Sequence, residues 1–306
     1  MKLRPGPAGR TPEVAGHRPW SKIRHKRDEL LPGEREEDDA RELVEAGTEL
    51  AGALSGGAVG TIGGPLGIVA GAATGVLVQR AARAVVRRLS HRERERVGAA
   101  LIFIDEDSAR REERGERVRN DGFFDDRGRV RPEAEDLLEA VLRQAAVTCQ
   151  ERKLPFLARL YSAVKYGAAV GGDDALYLLG LAGALTFREF QALAVYAHRV
   201  EHEQELLEAW FERKAGQVDP IPSVLLELDD LYERRLLGVS SGGQIVEGGL
   251  TWDSIGPGSS HEFSTLRLAR AGEQLVRLAG LDEIGEDDRR AWLALLEGPV
   301  LPPHYS

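Results

Sequence analysis

Two histidines and a glutamate stand at the spacing H-x-x-E-H in HRVEH, His198 to His202. On one helix that spacing sets His198 and His202 a single turn apart, where both could ligate zinc while Glu201 acts as general base. A hydrolytic site needs a further ligand, and Glu273 lies at a suitable downstream distance. No motif surrounds Glu273, and HRVEHEQE also reads as the charged outer face of a helix. No metal ligand, catalytic residue or cofactor is therefore assigned. GGAVGTIGG lacks the Lys-Ser/Thr and the preceding strand of a phosphate-binding loop. The Asp pairs at 125–126, 173–174, 229–230 and 287–288 fall mostly at helix starts or on solvated faces. Cys149 is the sole cysteine, which excludes an intramolecular disulfide and a multi-cysteine zinc site. It reads as a small buried hydrophobe.

The strongest pattern is one of packing rather than catalysis. Glycine recurs every four residues at Gly52, Gly56, Gly60 and Gly64, and again at Gly63, Gly67, Gly71 and Gly75. Spacing of four aligns each series along one helix face. Glycine costs a helix about 1 kcal/mol per position relative to alanine, and close approach of two backbones can offset that, as in small-xxx-small packing in lipid. Gly63-Gly64-Pro65 divides the series, so the tract predicts a glycine-zipper helical hairpin. Ala51 to Val78 carries no charge but only nine large aliphatics. It passes the length test for one membrane span, and each hairpin arm alone would be too short. Arg80, Arg83, Arg87 and Arg88 follow the tract and acids precede it, a bias that keeps the C-terminal bulk cytoplasmic. A soluble hairpin packed on the body is the competing reading.

The 306 residues suffice for two or three modules, and the net charge of −9 is unevenly spread. Residues 1–27 hold eight Lys/Arg against one acid, and residues 28–50 ten acids against two Arg. Residues 1–33 read as a disordered basic tail. A helix is expected from near Glu34, and a long amphipathic helix beyond Arg80, with Val85, Val86, Leu89, Val97, Leu101 and Ile104 as its apolar stripe, completes residues 34–118. NDGFFDDRG is a turn that Phe123 and Phe124 staple to a core. Residues 132–216 form a helical bundle, with Pro132 in a first turn and Thr186 and Glu189 as a capping box. In residues 217–306, a helix reaching Gly238 precedes β-like pieces at 244–250 and 262–266, and two further helices follow.

Two resemblances add to this. LYERRLL with EFSTLRLARAGEQLVRLAG resembles the end of many winged-helix domains, with Arg235 where that pattern often has glycine and Ala269 where it often has threonine. The order of parts resembles a group of bacterial proteins of uncharacterised activity. They join a glycine-rich apolar tract to motifs that read here as Arg92–Leu101, Arg119–Phe124 and Glu151–Val164. The fold expected is mainly α, with a glycine-zipper hairpin, a helical bundle and a small winged-helix-like α+β C-terminal module. The function expected is that of a non-enzymatic, cytoplasmic, membrane-associated adaptor or effector that self-associates and meets a protein partner, with a conditional pore or defence role as an extension. The alternative is a soluble regulator binding protein or nucleic acid through its C-terminal module. The candidate third helix there carries four acids against two arginines, which disfavours nucleic acid.

Overall fold

Helices dominate because apolar residues recur at helical spacing between strong start and stop signals. The computed structural model describes residues 32–55, 80–82, 84–85, 89–126, 128, 130–167, 169–200, 203, 205–207, 223–241, 244–246 and 266–297. Expectations for the basic tail and for residues 56–79 lie outside them. The order is α1 (Pro32–Leu54), α2 (His91–Glu113), α3 (Glu133–Val147), α4 (Leu154–Tyr166), α5 (Gly172–Ala184), α6 (Phe187–His198), α7 (Ser223–Glu233), strands β1 (Leu237–Ser241), β2 (Gln244–Val246) and β3 (Leu266–Leu268), then α8 (Arg270–Ala279) and α9 (Glu286–Ala294). The protein is mainly helical, with one small antiparallel sheet in the order β2-β1-β3.

Helix α2 is the axis of the body. Every residue from Val97 to Ile104 is buried, because α1, α3 and α4 all pack around it. The expected single apolar stripe is therefore too narrow: Ala99, Ala100, Ile102 and Phe103 bury the other faces. Helices α1 and α2 cross with their backbones in contact. A Cβ on Gly98 would stand 1.8 Å from the Leu43 carbonyl oxygen, and one on Gly47 2.1 Å from the Ala99 nitrogen. Only glycine at both positions permits this approach.

The expected continuous helix past Arg80 is broken at Ser90. Ser90 adopts an extended backbone and caps α2, its Oγ accepting from Glu93 N–H while its own N–H donates to Glu93 Oε2 at 2.6 Å. The same box opens α6, as expected, between Thr186 and Glu189. Helix α2 ends where Gly115 takes φ 78° and the Gly115 and Glu116 N–H groups close on Glu112 and Arg111 carbonyls.

The helix expected to reach Gly238 stops at Glu233, and Leu237 already belongs to β1. Arg235 adopts φ 58°, and Leu236 N–H bonds the Leu231 carbonyl at 2.9 Å while Arg235 N–H bonds that of Tyr232 at 2.8 Å. This is a Schellman end with arginine in the left-handed position that glycine usually fills. Arg235→Gly is expected to raise stability by about 1 kcal/mol, the left-handed penalty of a non-glycine residue. An unchanged urea midpoint for that variant would contradict it.

Strand β1 pairs with β2 through Val239↔Val246 and with β3 through Leu237↔Leu268 and Val239↔Leu266. The buried side chains form one continuous cluster from Leu43 to Leu296, so α8 and α9 share a core with α4 and α6. Trp292, fully buried, donates Nε1–H to Glu227 at 3.3 Å and joins α9 to α7.

Candidate functional site

Gly52 lies in the last turns of α1, half-buried. Gly56, Gly60, Gly63, Gly64, Gly67, Gly71 and Gly75 lie outside the described residues, as do Arg83, Arg87 and Arg88. Arg80 is exposed and 3.7 Å from the buried Glu135 carboxylate. Both flanks of the tract are anchored: Ala51 on one side and Ala81 and Ala82 on the other are wholly buried. Among the described residues no single helix is long and apolar enough to cross a membrane, although α5 and α6 would pass by composition as a pair bent by 115°.

The H-x-x-E-H geometry does not form on one helix. Helix α6 ends at His198, because Arg199 turns left-handed at φ 48°. His198 Nε2 sits 2.6 Å from the Asp282 carbonyl oxygen. Glu201 and His202 lie outside the described residues, and among the described residues no three His, Cys, Asp or Glu side chains are grouped to hold a metal. GVSSG at 238–242 spells the G-x-S-x-G pattern of a nucleophile elbow, which sequence reasoning overlooks. Ser240 lies within β1 opposite Ile245, not on a strand-to-helix turn, so no elbow forms. Cys149 is exposed rather than buried, since α3 ends at Val147 and the chain turns outward. Asp173 and Asp174 open α5, and Asp287 and Asp288 open α9.

The three motifs of the bacterial resemblance meet in space. Glu151 receives Arg92 at 3.3 Å and Arg96 at 3.2 Å, tying the first motif to the third. Arg119 lies over the Phe123 ring at 4.6 Å, and its Nη1 donates to the carbonyls of Val170 at 2.8 Å, Gly167 at 3.3 Å and Val164 at 3.4 Å. It thereby caps α4, and Phe123 is buried beside it. Lys153 donates to the Gly183 carbonyl at 2.9 Å and to that of Leu185, closing the end of α5. Burial pulls its ammonium down to about 8, against the pull of Glu189. These residues hold helices together.

What the motifs leave open is a groove of about 860 Å³ at the end of α1. Ala53, Leu54 and Ser55 form one wall, Phe103 and Arg110 of α2 another, and Arg152, Phe156 and Arg159 a third. The Glu283–Asp288 turn closes the far side. Arg152 lies over Phe187 at 4.0 Å and pairs with Asp288 at 2.6 Å; Arg159 pairs with Glu283 at 2.6 Å. Beneath the groove, buried Asp107 receives Arg111 at 2.7 Å, Arg110 at 3.5 Å and Arg159 at 4.0 Å. With aromatic walls and its charges largely paired, the groove is suited to contact rather than proton transfer. Its walls come from distant stretches of chain, so no local spacing announces it. Sequence reasoning also misses Gly47 and Gly98, and it reads through Ser90-x-x-Glu93, a capping-box signal that could have placed the break. No family model, no curated protein and no solved structure matches the chain.

Proposed function

We propose that the protein is a non-enzymatic, membrane-associating adaptor or effector that self-associates through the glycine-rich tract of residues 51–78. The observation that carries this reading is the anchoring of both flanks of an uncharged tract in the core, at Ala51 and at Ala81 and Ala82. A tract inserted between fixed ends can meet lipid or a second copy while the body stays folded. Arg80, Arg83, Arg87 and Arg88 would then hold the body on the cytoplasmic face. The groove beside Ser55 adjoins the departure point of the tract and offers a place for a protein partner.

We further read the C-terminal part as a winged-helix-like contact module. Support comes from the order of α7, the antiparallel β1 and β3, and α8. Two of the four acids of α7 are engaged by the protein itself: Glu227 by Arg188 at 2.9 Å and Asp230 by Arg234 at 2.6 Å. A protein partner suits this helix better than nucleic acid.

Fractionation tests the reading. The 306-residue chain is expected in the membrane pellet after a carbonate wash, and a variant lacking residues 56–78 in the supernatant. Gly60→Ile and Gly71→Ile are expected to abolish cross-linked oligomers, because branched bulk separates the backbones, while Thr61→Ile and Ala72→Ile retain them. A soluble 306-residue chain overturns the membrane role; equal behaviour of the four isoleucine variants overturns glycine packing.

A further inference from the structure

A second cleft, of about 460 Å³, lies between the end of α6, β3 and α8. Its rim carries Arg199, Glu273, Arg277 and Asp282, all exposed, over a buried apolar floor that includes Leu268 and Val276. Some opposite charges elsewhere on the surface close into pairs, as Arg152 does with Asp288. Around this cleft they do not. None of the four rim side chains has an ion-pair partner among the described residues, although two cations and two anions share one opening.

Arg199 stands at the end of α6 on this rim. Its left-handed backbone, φ 48° and ψ 38°, costs a non-glycine residue about 1 kcal/mol. That conformation ends α6, with the Arg199 N–H bonded to the Val195 carbonyl, and it leaves the Arg199 side chain without a contact among the described residues. The neighbouring His198 contact to the Asp282 carbonyl holds the α6 wall against the wall that carries Asp282. The two walls of this shallow opening are thus fixed relative to each other.

We propose that this cleft binds a small zwitterion, a free amino acid or dipeptide with an apolar side chain. Arg199 and Arg277 take its carboxylate, Glu273 and Asp282 its ammonium, and Leu268 and Val276 face its side chain. Charge-assisted hydrogen bonds at both ends give selectivity over singly charged molecules. The site stands apart from the membrane reading and would supply it with a chemical input.

Calorimetric titration of the 306-residue protein with L-leucine and with leucyl-leucine tests this, with N-acetyl-leucine and leucinamide as analogues lacking one charge. One or both zwitterions are expected to bind at least about ten-fold more tightly than either analogue, and which of them binds separates the two sources. Arg199→Gly is expected to abolish binding while raising the thermal midpoint, since relief of strain and loss of the guanidinium act in opposite directions on the two readouts. Glu273→Gln is expected to weaken binding with an unchanged midpoint. No saturable binding of either zwitterion up to about 10 mM, equal binding of the analogues, or undiminished binding by Arg199→Gly overturns the proposal.

Discussion

Gly98→Ala is expected to destabilise the protein by about 3 kcal/mol, at the upper end for a small-to-large change in a packed interior. The added Cβ would lie 1.8 Å from the Leu43 carbonyl oxygen and 2.8 Å from the Gly47 nitrogen. Both are backbone atoms of α1, so no side chain can rotate away and the whole helix must move. That movement withdraws Leu43, which is 1% exposed, from the core. Gly47→Ala meets the Ala99 nitrogen at 2.1 Å and is expected to do similar damage. Because the two glycines meet at one crossing, the double variant should fall short of the sum. Gly180→Ala is the control. Gly180 lies in α5, and a methyl group added there would meet nothing within 4 Å, so alanine is expected to stabilise the helix by about 1 kcal/mol. Urea unfolding of the three single variants and the double variant reads all of this, and a wild-type midpoint for Gly98→Ala would deny the backbone contact.

Arg289→Ala should cost about 3–5 kcal/mol, the range for stripping one partner from a buried ion pair. Arg289 and Glu203 are both buried, with Nε and Oε1 3.0 Å apart, and Arg289 Nη1 also donates to the Ile284 carbonyl at 2.8 Å. Removing the guanidinium leaves a carboxylate in the core and a carbonyl without its donor. Arg289→Lys should recover little, since one ammonium cannot reproduce the two-sided fork. The double variant Arg289→Met with Glu203→Leu should recover most of the loss, because it removes both buried charges together. Chemical denaturation of the wild type and these three variants checks each of these expectations. If Arg289→Ala alone matches the wild type, the pair does not hold α9 to the segment bearing Glu203.

Much of the helical order is legible from local signals. Thr186-x-x-Glu189 marks a helix start, and its capping box is present in the structure. Ser90-x-x-Glu93 carries the same signal, yet the helical periodicity running from Val85 to Ile104 reads straight through it. Periodicity reports which residues are apolar, not where the backbone bends. The end of α7 is hidden for another reason. An arginine at position 235 gives no local stop signal, and the left-handed turn depends on bonds back to Leu231 and Tyr232 and on burial of Leu236. Burial of every residue from Val97 to Ile104 of α2 is likewise a tertiary fact, since it requires α1 on a face that Ala99 and Ala100 leave inconspicuous. The candidate sites are still less visible. His198 and His202 have the type and spacing of zinc ligands, but the left-handed Arg199 ends the helix that would align the motif. The groove and the cleft each draw their walls from stretches brought together only by packing.

The crossing at Gly47 and Gly98 closes a loop of about 50 residues, and the uncharged tract lies wholly inside it. The entropy lost on closing a loop grows only with the logarithm of its length, so ten extra residues there would cost about 0.2 kcal/mol. A body whose α1 and α2 already meet at that crossing is nearly indifferent to how long the intervening tract is. Insertions and deletions between Ser55 and Arg80 can accumulate without unfolding what flanks them, leaving the length of the tract free to follow whatever surface it meets.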